Sequence, residues 1–179
     1  MKLSSWRVLF LIVALVCVNR CATRPIGADA SFLDAAKAAG APIHADDTVT
    51  STSGGETFSA APITTWERTP ATALRNGADI AFVYSSADAE GIPKGYYTLR
   101  AVADVTAPGT LNGTVQFIDR QGNVAAKLPA TAEVHSMTVP EAASTRRSYV
   151  TVTNENGARI IVICCTNGTC WIIVTRRLA

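Results

Sequence analysis

The last third of the chain alternates apolar and polar residues with the period of two that is typical of β-strands. Its apolar runs are interrupted by Asn156-Gly157 and by Asn167-Gly168. An Asn-Gly pair between such runs is a strong signal for a two-residue β-hairpin. The pattern therefore predicts a three-stranded antiparallel meander over residues 148–176.

The two turns also predict a register for this meander. The first sets Glu155 opposite Ala158, and the second sets Cys165 opposite Cys170. One face, expected to be the core face, then carries Val150, Val152, Ile161, Ile163, Cys165, Cys170, Ile172 and Val174. The other face carries Tyr149, Thr151, Thr153, Ile160, Val162, Cys164, Trp171, Ile173 and Thr175. Because this second face is half apolar, we expect the N-terminal helix, a partner chain or a ligand to cover part of it.

Further short strands are predicted from residue 77 onward, separated by turn signals such as Pro108-Gly109 and Gln121-Gly122. They are Asp79–Ser85, Tyr96–Val105, Gly113–Asp119, Asn123–Leu128 and Thr131–Val139. Tyr96 and Tyr97 point to opposite faces of their strand, so only one of them can belong to the core. The predicted fold class is all-β, an antiparallel β-sandwich or partly closed barrel of about seven to eight strands over residues 77–179.

Residues 22–76 form a different region, rich in Ala, Ser, Thr, Gly and Pro. A short helix is predicted over residues 31–39, with Ser31 as its cap and Gly40 at its end. Thr48–Gly55 has the composition of a flexible linker. Ile63–Arg68 is predicted to be an edge strand.

The first 21 residues have the pattern of a secretory signal peptide. Lys2 and Arg7 precede an apolar run over Val8–Val16, which is too short to cross a bilayer as a helix. Cys21 is a candidate for lipidation, although Arg20 departs from the small residue that usually precedes a lipidated cysteine. We therefore expect an exported protein, which is periplasmic, anchored to an outer membrane or extracellular. It would contact a membrane only through the signal peptide or a lipid anchor.

Export also changes the charge balance. The sequence has 16 basic and 14 acidic residues, and three of the basic ones (Lys2, Arg7 and Arg20) lie in the predicted signal peptide. The remainder is close to neutral, so nucleic acid is not an expected partner.

The C-terminal cysteines permit a cross-strand disulfide. In the predicted register Cys165 and Cys170 form a non-hydrogen-bonded pair, whose Cα separation of about 4.5 Å suits a disulfide. Cys164 would lie on the opposite face. It could be buried and inert, pair with another chain, or form a vicinal bond with Cys165.

Catalytic signatures are scarce. The chain contains no nucleophile elbow, phosphate loop or paired Cys-x-x-Cys motif. His44, Asp46 and Asp47 lie together in a polar loop, and His135 alternates with Glu133 along one predicted strand. Neither group has the spacing of a recognised active or metal site, and no cofactor or metal is predicted.

The sequence therefore favours a non-catalytic binding or structural β-domain of the cell envelope or extracellular space. The predicted contact residues are Tyr149, Trp171 and Ile173, and the partner could be a protein or a carbohydrate. Two alternatives stay open. The first is a secreted hydrolase with dispersed acidic residues, and the second is an assembly subunit that pairs through a sheet edge or face. Ligand identity and oligomeric state do not follow from the sequence.

Overall fold

The computed structural model describes most of the chain beyond the predicted signal peptide. The described residues are 30–69, 71–88, 91–103, 111–134, 148–155, 158–165 and 169–176. Among them is one α-helix, α1, at Ala30–Ala38. The described residues also include nine strands, β1 Val49–Ser53, β2 Glu56–Pro62, β3 Ala78–Ser85, β4 Gly95–Ala103, β5 Leu111–Ile118, β6 Val124–Val134, β7 Ser148–Glu155, β8 Ala158–Cys165 and β9 Thr169–Arg176.

The nine strands form one antiparallel sheet in the order β1-β2-β3-β4-β5-β6-β9-β8-β7. This confirms the all-β antiparallel fold predicted from the sequence. β1 and β7 are the two edges, and no register joins them in the part of the chain that the structure describes. In the same part, no helix is long and apolar enough to cross a membrane.

Every second residue of the central strands lies in one core. On β4 these buried residues are Tyr97, Leu99, Ala101 and Ala103. Apolar residues from both ends of the sheet belong to the same cluster, including Phe58 on β2 and Ile161 on β8. Since a strand alternates its side chains between two faces, the sheet has one inner face that encloses the core.

The two ends of the sheet approach each other and enclose this core, which makes the fold sandwich-like. β7 lies against β1 and β2. Arg159 on β8 is only 7 % exposed, and its Nη2 lies 3.6 Å from Oε2 of Glu56 on β2. Its guanidinium is also 4.9 Å from the ring centre of Phe58. The ion pair and the cation–π contact therefore join the first strands of the sheet to the last.

The helix α1 packs on the outer face. Phe32 contacts Phe82 of β3 with ring centres 5.4 Å apart, and the small residues Ala35 and Ala36 allow the helix to approach the sheet closely. Gly40 has a φ of 68°, and the next residue, Ala41, donates its N–H to the carbonyl of Ala36 at 2.9 Å. This is the glycine-ended helix that the sequence predicts, whereas Ser31 lies inside the first turn of the helix.

The predicted flexible linker over Thr48–Gly55 is wrong, because this segment is β1 and its turn into β2. Gly54 and Gly55 have φ values of 60° and 81°, and Ser53 lies opposite Glu56. A Gly-Gly pair with positive φ is the signature of a two-residue hairpin. The expected boundary at residue 77 therefore does not divide the sheet, since β1 and β2 continue it from β3.

The predicted edge strand over Ile63–Arg68 is also wrong. Only Ile63 makes a bridge, with Ile43, and Thr64–Arg68 is a 3₁₀ helix. Trp66 donates its backbone N–H to the carbonyl of Ile63 at 3.0 Å. The turn brings the Trp66 side chain into the core with 1 % exposure.

Two predicted strands, Asn123–Leu128 and Thr131–Val139, prove to be one strand over their described residues, β6. It runs through Pro129, which cannot donate a ladder hydrogen bond. β9 pairs with β6 only from Ala130 to Val134, so Pro129 lies where β6 has a neighbour on one side only. Proline is tolerated at such an edge-like position.

Candidate functional site

The residues predicted to make contacts do not form one outer surface. Trp171 lies in the core with no exposed surface, because β9 is displaced by one residue from its predicted register. It lies opposite Ile163, and Ile173 lies opposite Ile161. Ile163 belongs to the inner face, so the assignment of Trp171 to the outer face is wrong, and the side chain of Ile173 lies outside the described residues. Tyr149 lies opposite Cys164, and its side chain lies outside the described set.

The same displacement affects the predicted disulfide. Cys170 lies opposite Cys164 and not opposite Cys165. The cysteine side chains are outside the described set, as are Cys21, His135 and the side chain of Glu133. The proposed lipidation and the His135–Glu133 pair therefore stay predictions.

The polar loop at His44 is described. His44 is exposed, and it precedes the 3₁₀ turn Ala45–Asp47 without capping it through its side chain. Across the described residues, no three side chains from His, Cys, Asp and Glu lie close enough to hold a metal ion.

A cluster on the outer face of β3 and β4 stands out instead. We call Tyr84, Tyr96 and Arg120 the tyrosine shelf. The two tyrosines lie directly opposite each other in the antiparallel pair, with ring centres 4.5 Å apart and an interplanar angle of 30°. The guanidinium carbon of Arg120, from the turn after β5, lies 5.6 Å from the ring centre of Tyr96.

The shelf is half open to solvent. Both tyrosines are half-buried and Arg120 is exposed. Within the described residues no carboxylate lies within ion-pair distance of Arg120, whose recorded contact is the one with Tyr96. An exposed cation held on an aromatic ring is oriented without being neutralised.

The neighbouring core holds the shelf in place. Phe82 stacks beside Tyr96 at 6.2 Å, with an interplanar angle of 14°, and Phe32 of α1 packs on Phe82. The hydroxyl of Tyr96 lies 3.5 Å from Oγ of Ser31 on α1. The helix therefore supports one side of the shelf and leaves the side of Arg120 open.

Strand alternation separates the two adjacent tyrosines. Tyr97 lies in the core and is 5 % exposed, and its hydroxyl donates to the carbonyl of Pro93 at 2.8 Å. Burial raises the pKa of Tyr97, and the charges of Asp119 and Asp88 add to the effect. The expectation that only one of the two tyrosines is core is confirmed, and the outer one is Tyr96.

Arg120 is positioned by the turn between β5 and β6. Oδ1 of Asp119 accepts the backbone N–H groups of Gln121 at 2.9 Å and of Asn123 at 2.8 Å. These hydrogen bonds hold the pKa of Asp119 below its usual value, with the Asn123 backbone contributing most. A carboxylate that fixes two backbone donors in this way restricts the conformation of its neighbour Arg120.

The outer face has a second feature, a groove of about 500 Å³ lined by Arg75, Val102, Ala103, Asn112, Gly113 and Thr114. Near it, Nε of Arg100 donates to Oδ1 of Asp79 at 2.7 Å, and this hydrogen bond raises the pKa of Arg100. Among the described residues that line the groove there is neither a pair of carboxylates nor a nucleophile with a base. We assign no chemistry to it.

The sequence patterns do not predict the tyrosine shelf. Tyr84 lies in a strand that was predicted correctly, but its pairing with Tyr96 depends on the register between β3 and β4, which includes an irregularity between Asp79 and Ala81. The sequence predicts both strands but does not predict the register between them. Arg120 follows a predicted strand end, where charged residues are usually only solvated.

Comparison with known proteins adds no family: no protein-family model, curated protein or solved structure matches the chain.

Proposed function

We propose that the protein is a non-catalytic, exported binding domain of the cell envelope or extracellular space, and that the tyrosine shelf is its contact surface. The observation that carries the proposal is the exposed Arg120 held over the ring of Tyr96, with no carboxylate of the described residues within ion-pair distance. Tyrosine and arginine are enriched among the residues that dominate binding energy at interfaces.

The geometry favours a protein partner over a carbohydrate. A sugar stacks on a free aromatic face, but the ring of Tyr96 already packs against Tyr84 and lies beneath Arg120. The shelf instead offers ring edges, phenol hydroxyls and a guanidinium. These groups match a peptide segment that presents a carboxylate and an apolar side chain.

Export is part of the proposal and rests on the N-terminal sequence pattern. The intact mass of the protein recovered from its own host tests it. A chain beginning at or after Cys21 supports export, with added acyl chains on Cys21 if it is anchored. A full-length chain beginning at Met1 contradicts it.

The binding proposal is tested by selecting peptides from a random display library on the purified protein. We expect the selected peptides to be enriched in Asp and Glu next to an apolar residue, and to bind more weakly as salt is raised. Their affinity should fall about tenfold or more in Arg120→Glu, which corresponds to about 1.4 kcal/mol.

Lys127→Glu is the matched control, because Lys127 is also an exposed cation of the outer face, on β6. It makes the same charge change away from the shelf and should leave affinity within about twofold. Equal losses in both variants would indicate non-specific charge attraction and contradict the proposal. Binding of a sugar array without any selected peptide would contradict the choice of partner.

A further inference from the structure

The pairing of β8 with β9 places two cysteines directly opposite each other. Cys164 lies opposite Cys170, and the flanking pair on the interior side is Ile163 with Trp171. Cys165 is the last residue of β8, and no cysteine lies opposite it on either neighbouring strand, since its partner on β7 is Ser148.

The register also identifies the kind of pair that the two cysteines form. Glu155 lies opposite Ala158, so two residues connect β7 to β8, and the pair that closes such a turn is hydrogen-bonded. Hydrogen-bonded and non-hydrogen-bonded pairs alternate along an antiparallel ladder. Counting from Ala158, Cys164 is therefore hydrogen-bonded to its partner on β7, Tyr149.

A strand residue directs its backbone N–H and C=O toward the same neighbouring strand. Because Cys164 uses both groups toward β7, its pair with Cys170 on the other side is non-hydrogen-bonded. Such pairs have the short Cα separation of about 4.5 Å, which falls within the range that a disulfide bridges.

We propose that Cys164 and Cys170 form a cross-strand disulfide and that Cys165 remains a thiol. Oxidation proceeds by thiol–disulfide exchange with an external disulfide, either oxidised glutathione or a protein disulfide. One cysteine thiolate attacks the external disulfide and releases one thiol. The second cysteine thiolate then attacks the mixed disulfide and releases the other. The two cysteines lose two protons and two electrons, and the external disulfide becomes two thiols.

The bond would hold the ends of β8 and β9 together next to the connection between them. It closes a very short loop, so it constrains the unfolded chain only modestly. Its main effect is on register, because a disulfide between residues 164 and 170 is compatible with Trp171 opposite Ile163. A bond between Cys165 and Cys170 would instead belong to the register displaced by one residue.

The sequence makes the test direct, because trypsin cleaves after Arg159 and Arg176 and leaves all three cysteines in one peptide, residues 160–176. The purified full chain is incubated with oxidised glutathione, unfolded in guanidinium without reductant, and labelled with N-ethylmaleimide. Reduction and iodoacetamide then label the cysteines released from disulfides. Fragmentation of the peptide locates each label.

We expect N-ethylmaleimide on Cys165 alone and iodoacetamide on Cys164 and Cys170. N-ethylmaleimide on Cys164 alone would show a Cys165–Cys170 bond, and on Cys170 alone a vicinal bond, and either result overturns the proposal. N-ethylmaleimide on all three cysteines also overturns it. As a matched pair of variants, Cys165→Ser should keep the bond and Cys164→Ser should lose it.

Discussion

The two C-terminal hairpins carry the same turn dipeptide and differ in how well it predicts their register. Between β7 and β8, Asn156-Gly157 correctly predicts that Glu155 lies opposite Ala158 and Val152 opposite Ile161. Between β8 and β9, Asn167-Gly168 predicts Cys165 opposite Cys170, but the structure places Cys164 there. One hairpin follows its turn signal, and the other departs from it by one residue.

The difference shows that burial can override a turn preference. A one-residue displacement exchanges the two faces of a strand completely, and on β9 it moves Trp171 from the outer face into the core, where no surface is exposed. Burying a tryptophan removes about 150–250 Å² from water, worth about 4–6 kcal/mol at 25 cal/mol per Å². On β7 and β8 no such conflict exists, because the turn and the apolar alternation predict the same register.

The largest effect is expected for Trp171→Ala, which breaks the hairpin that departs from its turn signal. Truncating a buried tryptophan should lower the free energy of unfolding by about 3–5 kcal/mol, measured by denaturant titration. Thr151→Ala on the exposed face of β7 is the control and should change stability by less than about 0.5 kcal/mol. A loss below about 1 kcal/mol for Trp171→Ala would place this residue outside the core.

A somewhat smaller loss is expected for Arg159→Met, which probes the hairpin that follows its turn signal. Removing one partner of a buried ion pair costs about 3–5 kcal/mol, and since the Glu56 side chain is 24 % exposed we expect the lower end, about 3 kcal/mol. Arg100→Met is the matched control. Its side chain is 41 % exposed in the pair with Asp79, so it should cost at most about 1 kcal/mol. Equal losses in thermal or chemical unfolding would contradict the buried contact between β8 and β2.

The smallest effect concerns a third turn, between β5 and β6, whose geometry is held by the Asp119 side chain and not by Asn-Gly. Folding lowers the pKa of Asp119 below its unfolded-state value of about 3.9. The ionised carboxylate therefore stabilises the folded protein fully above the unfolded-state pKa. This stabilisation is lost as the pH falls through the lower folded-state pKa. The stability difference between wild type and Asp119→Asn should therefore shrink below about pH 4. A difference that does not change between pH 7 and pH 2 would contradict this account. Asp46→Asn, at an exposed acid outside this turn, controls for general charge removal.

The sequence predicts the fold where local signals and burial agree. Alternation identifies β3, β4, β5 and the C-terminal meander, and Gly40 marks the end of the helix. β1 and β2 were missed because runs of Thr, Ser and Ala resemble a linker in composition. β2 belongs to the core because it pairs with β3 and places Phe58 beneath Arg159, and β1 in turn pairs with β2. The prediction of a strand over Ile63–Arg68 is wrong because the burial of Trp66, which favours the 3₁₀ helix, depends on residues distant in the sequence.

The candidate site was harder to predict than the fold. The shelf depends on three side chains from different strands and a turn, and their approach depends on registers that composition does not fix. The prediction that Trp171 is a contact residue on the outer face is wrong for a related reason. An aromatic residue in an apolar strand has the same local pattern on either face, and a displacement of one residue decides which face it occupies.

The most direct test of the β8–β9 register is the cross-strand contact between α-protons in a nuclear Overhauser spectrum of the isotope-labelled protein. In a non-hydrogen-bonded antiparallel pair the Cα atoms are about 4.5 Å apart, and the α-protons lie between them. The register described above predicts a strong contact between the α-protons of Cys164 and Cys170. A strong contact between those of Cys165 and Cys170 would restore the register of the turn dipeptide, move Trp171 to the outer face, and contradict the account.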